Sequence, residues 1–547
     1  MEFFQNIGIH FYVAIALAIV NGVLMCLVGY KFLQVLQQGG YKMRAYGEWL
    51  KDTKGKYVSR VVFLALLSIA GVLVTNAVFD SYIEDSYLSY LGLIFYFYFA
   101  IIFIKNLYEA PKKVPLRHTN RMIRLNICLF FLMAIVTFGL IAISTEYITI
   151  LRYGIITLTP IALIVAVPIA HYIMLPFEEC IRGLYILKAK RVLKKMPDLI
   201  KIGITGSFGK TSCKYILNTM LSKKYSVCMS PHSFNTPMGL TKVVLKYLKP
   251  YDQVLITEMG ADNVGDINYL CGIIKPKMGI LTAVGTQHLR TFKTVQNIKN
   301  TKFELIKNLE QIEDGFAVFN GDNEGALELY NRANLDKQYS SISDENASIY
   351  AKNIVLSDEG IAFDIVTEEG VYSCSSRLLG DHNISNILLC VCMARKLGVA
   401  MDDIVSAISE LKPVPHRLEL RTKYKGFKVL DDSFNASVDG ANSALKVLSL
   451  YKGKKIVVTP GLIELGNMEY VENVNFGERI ARVADVCIIV NKVNRDSIKE
   501  GLLKGGMAEE NIIVKDSFGQ GFIALKDLIE VNNTCVLIEN DLPDNYI

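Results

Sequence analysis

Leu199–Leu217 reads LIKIGITGSFGKTSCKYIL, and this stretch decides the fold. Leu199–Thr205 is a short run of apolar and β-branched residues, which predicts a buried strand. GSFGKTS follows, and Cys213–Leu221 then carries the pattern of a helix. A strand, a glycine-rich loop and a helix in that order form a phosphate cradle. Gly203, Gly206 and Gly209 let the backbone approach phosphate oxygens closely. The loop amides, Ser207 included, and the helix N-terminus supply donors and a favourable dipole for the anion. Lys210 is placed to reach the β- and γ-phosphates of ATP, and Thr211 or Ser212 to ligate Mg²⁺. The general pattern has glycine where Ile204 stands, so the spacing here is G-x-x-G-x-x-G-K-T-S.

Upstream of the loop the composition changes. The chain has 547 residues, 51% of them hydrophobic, and its mean hydropathy of +0.30 is high because of residues before about 180. Five stretches there approach the ~20 apolar residues that a helix needs to cross a bilayer: Ile9–Tyr30, Val61–Phe79, Leu88–Ile104, Leu125–Ser144 and Tyr153–Leu175. The first lacks a basic leader and a small-residue cleavage site, so it is expected to stay attached. Basic residues crowd the first and third connections and the segment after the fifth stretch, while the second offers Asp80, Glu84 and Asp85. Because Lys and Arg gather in cytoplasmic loops, the expectation is a multi-pass plasma-membrane module with its N-terminus outside and everything after 176 in the cytoplasm. The first connection also mixes Tyr41, Met43, Tyr46 and Trp49 with bases, as an interfacial anchor or a contact surface for an anionic, lipid-linked substrate would.

The net charge of +6 is small for this length, and no nucleic-acid partner is expected. The eleven cysteines show no paired C-x-x-C spacing for zinc or a redox couple. Cys390 and Cys392 read as small buried residues.

Downstream, more motifs follow in order: SFNTPMG at Ser233–Gly239, EMGADNVGDI at Glu258–Ile267 after an apolar strand at Val254–Thr257, and AVGTQHLRTF at Ala283–Phe292. Then come KNTKFELI at Lys299–Ile306, NGDN at Asn320–Asn323, GDHNISN at Gly380–Asn386, VPHRLE at Val414–Glu419, DDSFNAS at Asp431–Ser437 and TPGLIELG at Thr459–Gly466. This series resembles the Mur ligases, and within them the UDP-N-acetylmuramoyl-tripeptide:D-alanyl-D-alanine ligase branch. The likeness runs from about Ile200 to the C-terminus.

The resemblance implies an ATP-dependent ligase that turns a carboxylate into an acyl phosphate and joins it to an amino acid or other amine. It implies catalytic roles for Lys210, Glu258, His288 and Lys302, with Lys302 carbamylated. Glu258 and Thr211 would hold Mg²⁺, with His288 at a second ion. Asn383 and Asn386 would meet adenine, Arg417 phosphate at a domain hinge, and Asp432 the ribose. Asn235, Thr236, Phe434 and Asn435 fall where substrates are recognised. The implied architecture is a helical transmembrane module (1–180), a connector (181–198), an α/β central ATP-binding domain (199–412) and a Rossmann-like C-terminal domain (413–547). Alternating strands and helices after the hinge, at Lys428–Leu430, Lys455–Thr459, Val486–Val490, Ile512–Val514 and Cys535–Ile538, fit that last assignment.

The pattern also departs from the family. About 20 residues separate the fifth apolar stretch from the loop strand, too few for the domain with which soluble relatives grip a nucleotide sugar. Phe434, Ser437 and Val438 stand where the family has tyrosine, asparagine and proline. The expectation is that the ATP chemistry is retained while the substrates differ. The acceptor would be a membrane lipid or lipid-linked carboxylate, as in a cell-envelope precursor. A poly-γ-glutamate-like synthase, an ATP-driven transporter and a regulatory scaffold are the competing readings.

Overall fold

Ile202 and Ile204 are fully buried, so the strand before the glycine loop lies inside a sheet. The computed structural model describes residues 8–52, 56–79, 85–109, 115–147, 152–231, 233–285, 289–421, 426–434 and 437–541. It divides into two units, one of residues 1–183 with 543–547 and the other of residues 184–542.

In the second unit the first sheet contains β1 (Ile200–Thr205), β2 (Val227–Met229), β3 (Val254–Glu258), β4 (Met278–Leu281), β5 (Phe316–Asn320), β6 (Asp336–Ser341), β7 (Ile349–Leu356), β8 (Ile361–Thr367) and β9 (Gly370–Ser376). Their spatial order is β2-β3-β1-β4-β5-β6-β7-β8-β9, parallel through β7 and antiparallel after it. The chain leaves β1 toward β2 and leaves β4 toward β5, so the direction of winding reverses between β1 and β4. Open parallel sheets bind ligands beyond the carboxyl ends of strands at such a reversal. One face is covered by helices Lys210–Leu221, Asp381–Lys396 and Met401–Ser409. The other is covered by Asp266–Ile274, Val295–Leu309 and Glu324–Arg332, and by Ile186, Ala189 and Leu193 at the end of the helix Thr159–Lys194.

The second sheet contains β10 (Glu419–Arg421), β11 (Lys428–Asp432), β12 (Lys454–Thr459), β13 (Val486–Val490), β14 (Ile512–Lys515) and β15 (Thr534–Glu539), ordered β10-β11-β15-β12-β13-β14. All pairs but β10–β11 are parallel. Helices Val438–Ser449, Glu469–Ala481 and Arg495–Lys504 cover one face, and Phe518–Leu525 lies on the other. Each strand expected after the hinge is present, Val486–Val490 with the expected bounds and the other four longer by one or two residues.

The first unit is helical: Gly8–Val28, Tyr30–Gln38, Met43–Asp52, Lys56–Phe79, Asp85–Glu109, Asn120–Tyr147, a 3₁₀ turn at Arg152–Leu158, and Thr159–Lys194 up to Gly183. Among the described residues four stretches are long and apolar enough to cross a membrane: Phe11–Val28, Lys56–Thr75, Asn120–Ile143 and Gly154–Lys194. The third expected stretch, Leu88–Ile104, lies in the helix Asp85–Glu109, whose apolar part Leu93–Tyr108 is shorter. Inside this unit Asn21 Nδ2 donates to Thr137 Oγ1 and Thr159 Oγ1, both at 2.9 Å, and Tyr96 Oη donates to Asn21 Oδ1 at 2.5 Å. Satisfied polar groups of this kind tie apolar helices together without leaving a buried donor unmet. Tyr46 and Trp49 are only 2% and 8% exposed and pack with Phe32 and Tyr57. Those two rings are therefore core, and the first connection folds as two helices that turn them inward.

Candidate active site

The helix after the glycine loop starts at Lys210, three residues earlier than its apolar pattern suggests. Two glycines shape the loop. Gly206 has φ +152°, and a Cβ there would lie 2.0 Å from Thr282 Oγ1; Gly209 has φ +82°, and a Cβ there would lie 2.7 Å from Asn386 Oδ1. Gly203 differs from its expected role. It sits within β1, where its missing side chain admits Leu305 and Met259 at 3.1 Å, so its place is one of packing. The loop is tied to the end of β4: Ser207 N–H donates to Ala283 O at 2.8 Å, Gly285 N–H to Ser207 Oγ at 2.9 Å, and Thr282 Oγ1 to Phe208 O.

Beside the loop, at the end of β3, the Glu258 carboxylate is 2% exposed. Thr211 Oγ1 donates to both of its oxygens, at 3.1 and 3.2 Å, and Asn235 Nδ2 approaches Oε1 at 3.5 Å. Lys214 Nζ lies 3.5 Å from Oε2 and is fully buried. Sequence reading did not single out Lys214, although its place four residues after Lys210 sets it on the same helix face. Thr236 is the N-cap of the helix Pro237–Lys242, accepting from Gly239 N–H at 3.3 Å.

Lys210 is folded back, donating to Gly206 O at 2.6 Å and Ser207 O at 3.0 Å. Loss of water pulls its pKa down to about 8; Glu258 opposes the shift and Arg417 adds to it. Lys302, on the helix Val295–Leu309, is 3% exposed. Burial lowers it to about 7, with help from the charge of Lys210 and against Asp262, Glu304 and Asp266. Glu304 itself caps the neighbouring helix, accepting from Gly265 N–H at 2.7 Å and Asn268 N–H at 2.9 Å.

On the other side of the loop, Asn386 Oδ1 accepts from Cys213 Sγ at 3.3 Å, whereas Asn383 Nδ2 donates at 2.8 Å to Leu379 O, just ahead of its own helix. Asn386 thus abuts the loop, and Asn383 is turned away toward the start of that helix. Ser212 is half-buried on the helix, and Cys390 and Cys392 are fully buried.

The second sheet contributes Arg417 and Asp432. The Arg417 guanidinium stands 5.2 Å over the Phe434 ring, and its charge is felt at Lys210, Lys214 and Asp432. Asp432 Oδ1 accepts from Leu418 N–H at 3.0 Å. Burial raises the Asp432 carboxyl to about 6 against that hydrogen bond. Its neighbour Asp431 faces another set, His416 Nδ1 at 3.1 Å and Arg421 Nη2 at 2.8 Å. His288 and Asn435 lie outside the described residues.

Around one loop the fold therefore gathers a phosphate cradle, a buried carboxylate with a hydroxyl on it, and three buried or half-buried lysines. Glu258 and Thr211 are hard oxygen donors fit for Mg²⁺, whose remaining positions phosphate oxygens and water ordinarily fill. Among the described residues no three acidic, histidine or cysteine side chains converge on a self-sufficient metal cage.

Comparison with known proteins agrees with this geometry. The Mur ligase middle domain matches residues 204–394. The UDP-N-acetylmuramoyl-tripeptide–D-alanyl-D-alanine ligase of Escherichia coli is 28% identical over 278 residues, which are 51% of this chain and 61% of that protein. The ligase of the same name from Borreliella burgdorferi is 32% identical over 315 residues, 53% of this chain and 65% of its own length. The chain spans about three-fifths of the length of the curated relatives it matches. Among solved structures, MurF ligase from Thermotoga maritima in complex with ADP superposes with a TM-score of 0.58 at 25% identity, covering 66% of this chain and 80% of that one. Residues 204–394 match the Mur ligase middle domain, and over them this chain is similar to the Mur ligases.

Proposed function

We propose that this chain is a membrane-anchored, ATP-dependent carboxylate–amine ligase of cell-envelope biogenesis. The observation that carries the reading is the cluster of Lys210, Thr211, Glu258 and Lys302 around one glycine loop. The named relatives are ligases of a D-alanyl-D-alanine unit and a UDP-N-acetylmuramoyl tripeptide, and one solved relative holds ADP.

In this reading the acceptor carboxylate attacks the γ-phosphorus of ATP. The bond to the ADP oxygen breaks, and an acyl phosphate forms. The amine nitrogen then attacks the acyl carbon, phosphate leaves with its oxygen, and the nitrogen loses a proton. Such transfer depends on positioning and on cancelling charge. The Gly206–Lys210 amides and the Lys210 ammonium hold the phosphates, and Thr211 and Glu258 hold Mg²⁺, which when bound offsets triphosphate charge. Lys210 first has to give up its two loop carbonyls, which a triphosphate would replace as acceptors. Lys302, neutral in good part near pH 7, is the amine form that combines with CO₂ to a carbamate. His288 is assigned to a second metal ion, Asn383 and Asn386 to adenine, Arg417 to phosphate and Asp432 to ribose. Asn235, Thr236, Phe434 and Asn435 are assigned to the joined substrates.

The apolar helices of the first unit are read as membrane spans, with the N-terminus outside and the ligase domains in the cytoplasm. A lipid-linked acceptor follows from that placement, because the helix Thr159–Lys194 leads within a few residues to β1 and no nucleotide-sugar domain intervenes. The test is phosphate release by the full chain in lipid nanodiscs, supplied with an amine pool and either a lipid extract or soluble UDP-linked acids. Release that needs both the amine and the lipid, and vanishes in Lys210→Ala, supports the reading. Equal use of the soluble acids removes the lipid acceptor, and no amine-dependent release from any mixture removes the ligase.

A further inference from the structure

The two faces of the first sheet treat apolar side chains differently. No large apolar residue is exposed on the helices Lys210–Leu221, Asp381–Lys396 and Met401–Ser409, which cover one face. On the other face the aliphatic side chains of Leu184, Leu187, Met238, Val264 and Val295 are 40–62% exposed. Single exposed apolar residues are ordinary on a protein surface. Their confinement to one face, and there to one end of the strands, calls for a partner.

Connectivity fixes which end that is. The helix Thr159–Lys194 packs Ile186, Ala189 and Leu193 on the sheet and reaches β1 through the short connection 195–199. It therefore runs back along β1, with Lys194 toward the amino end and Leu184 about 15 Å nearer the carboxyl end. Met238 lies in the first turn of the helix that follows β2, Val264 in the loop after β3, and Val295 at the start of a helix that follows β4. All three leave from the carboxyl ends of strands, the end that also carries the glycine loop and Glu258. Two of these loops are joined there, since Gly260 N–H donates to Asn235 O at 3.0 Å. Met238 and Val264 follow that joint closely in sequence, which holds them within about 11 and about 14 Å of it by chain reach. The acids beside Val264 are turned inward: Asp266 Oδ2 accepts from Asp262 N–H at 2.9 Å and Asn263 N–H at 2.8 Å, and Glu304 accepts from Gly265 N–H. Val264 is left at the tip of its loop. The exposed tyrosines toward the amino ends, Tyr247 and Tyr251, carry hydroxyls that water satisfies.

We propose that this carboxyl-end rim is a membrane-contact surface, with Leu184, Leu187, Met238 and Val264 set against the headgroups of a lipid leaflet. The proposal rests on the membrane-anchored reading and deepens it, because it turns the phosphate loop toward the layer in which a lipid-linked carboxylate travels. Two observations select lipid over protein as the occupant. The rim is continuous with the helix Thr159–Lys194, which lies within the 41-residue apolar stretch Gly154–Lys194. Its aliphatic tips are also flanked by exposed Tyr185 and by Lys188, Lys190 and Arg191, which are exposed and make no ion pair among the described residues. Aromatic and basic residues together mark a membrane–water interface, whereas lysine is depleted where two proteins meet. An aliphatic tip needs to enter by only about 5–10 Å to leave water, which single residues on separate loops can do without any rearrangement of the sheet.

The test uses the full chain in nanodiscs of phosphatidylcholine and phosphatidylglycerol. Met238→Cys and Val264→Cys, each in a Cys180→Ser background, carry an environment-sensitive NBD maleimide, and part of the lipid carries a nitroxide on its headgroup. Tyr251→Cys, just before β3 at the amino end, and Asp403→Cys, on the opposite face, are the comparison positions. Ile169→Cys, read with a nitroxide on the acyl chain, reports the span itself. The signal of the Cys180→Ser parent is subtracted, and an unchanged melting point shows that each variant is folded. The expected result is headgroup quenching at Met238→Cys and Val264→Cys at least about threefold greater than at Tyr251→Cys and Asp403→Cys. Equal quenching at all four positions overturns the rim. So does its absence at Met238→Cys and Val264→Cys while Ile169→Cys is quenched, and that result leaves the anchored reading standing. Blue-shifted emission at the rim without headgroup quenching shows a protein cover, a second copy or another chain, and overturns lipid as the occupant. Quenching at the rim with Ile169→Cys unquenched removes the anchored reading and leaves the membrane contact; no quenching anywhere removes both.

Discussion

Lys302 is held where a charged ammonium is least stable, inside the helix layer with the charge of Lys210 for a neighbour. A pKa of about 7 against an ordinary 10.5 means that folding costs on the order of a few kcal/mol whenever the amine is protonated. The folded chain binds fewer protons than the unfolded chain between those two values, so stability rises with pH across that window. Lys302→Met should therefore melt higher than wild type, most clearly below pH 7, with the gap shrinking toward pH 10. The same variant should lose amine-dependent ATP turnover by at least about a hundredfold, the scale at which a single preorganised charge acts. Melting curves from pH 6 to 9 and phosphate release check the two halves separately; a melting point lower than wild type at pH 6 would show that the lysine supports the fold instead. Lys210→Ala should leave the melting point nearly unchanged without nucleotide and abolish the stabilisation that ATP gives, because the loss of its two bonds to loop carbonyls is offset by removal of an ammonium that burial disfavours.

Elements were legible in proportion to how local their causes are. The glycine loop, β1, β3 and the strands after the hinge could all be read from apolar runs and their punctuation, since a buried parallel strand needs little beyond apolar side chains. What could not be read was what each residue faces. Gly203 looked like a loop glycine and is a packing glycine under Leu305 and Met259. Tyr46 and Trp49 looked interfacial and are core, because two helices fold the connection inward. Lys214 and Glu539 lie in ordinary apolar-looking helix and strand contexts, and only the register of β1 with β3 and of β11 with β15 brings them to other charges. Ser437 is another such case. It departs from the family pattern where substrates are recognised, yet its side chain caps the helix Val438–Ser449, accepting from Gly440 N–H at 3.0 Å. Ser437→Ala should lower stability by about 1 kcal/mol with little change in the affinity for ATP, and denaturant melts beside nucleotide titrations read both. Gly206→Ala should do more, since its Cβ would meet Thr282 Oγ1 at 2.0 Å and φ is +152°. A loss of roughly 1–3 kcal/mol and of ATP binding is expected, whereas a variant that bound ATP normally would mean that the loop can shift as a body.

At the scale of the whole molecule the proposed topology places the chemistry on one side of a membrane, and one native thiol tests it. Of the eleven cysteines, eight are buried, Cys26 and Cys128 are half-buried, and Cys180 is exposed. Cys180 lies on the helix Thr159–Lys194, past its most apolar part and just before Arg182, Lys188, Lys190 and Arg191. Basic residues at that end are expected on the cytoplasmic side. A membrane-impermeant maleimide should therefore fail to label intact cells and should label the chain once the membrane is opened. Cys180→Ser should remove that signal, because the buried thiols are out of the reagent's reach and burial raises several of them, Cys228 and Cys271 to about 12, where little reactive thiolate remains. The chain should also stay with the membrane through an alkaline carbonate wash, since four stretches of 18 to 41 residues satisfy the length and apolarity of a span. Labelling of Cys180 in intact cells would invert the proposed topology and place the glycine loop on the side without ATP. Release by carbonate would instead leave the apolar helices as a protein-packing device, and the acceptor would no longer need to be a lipid.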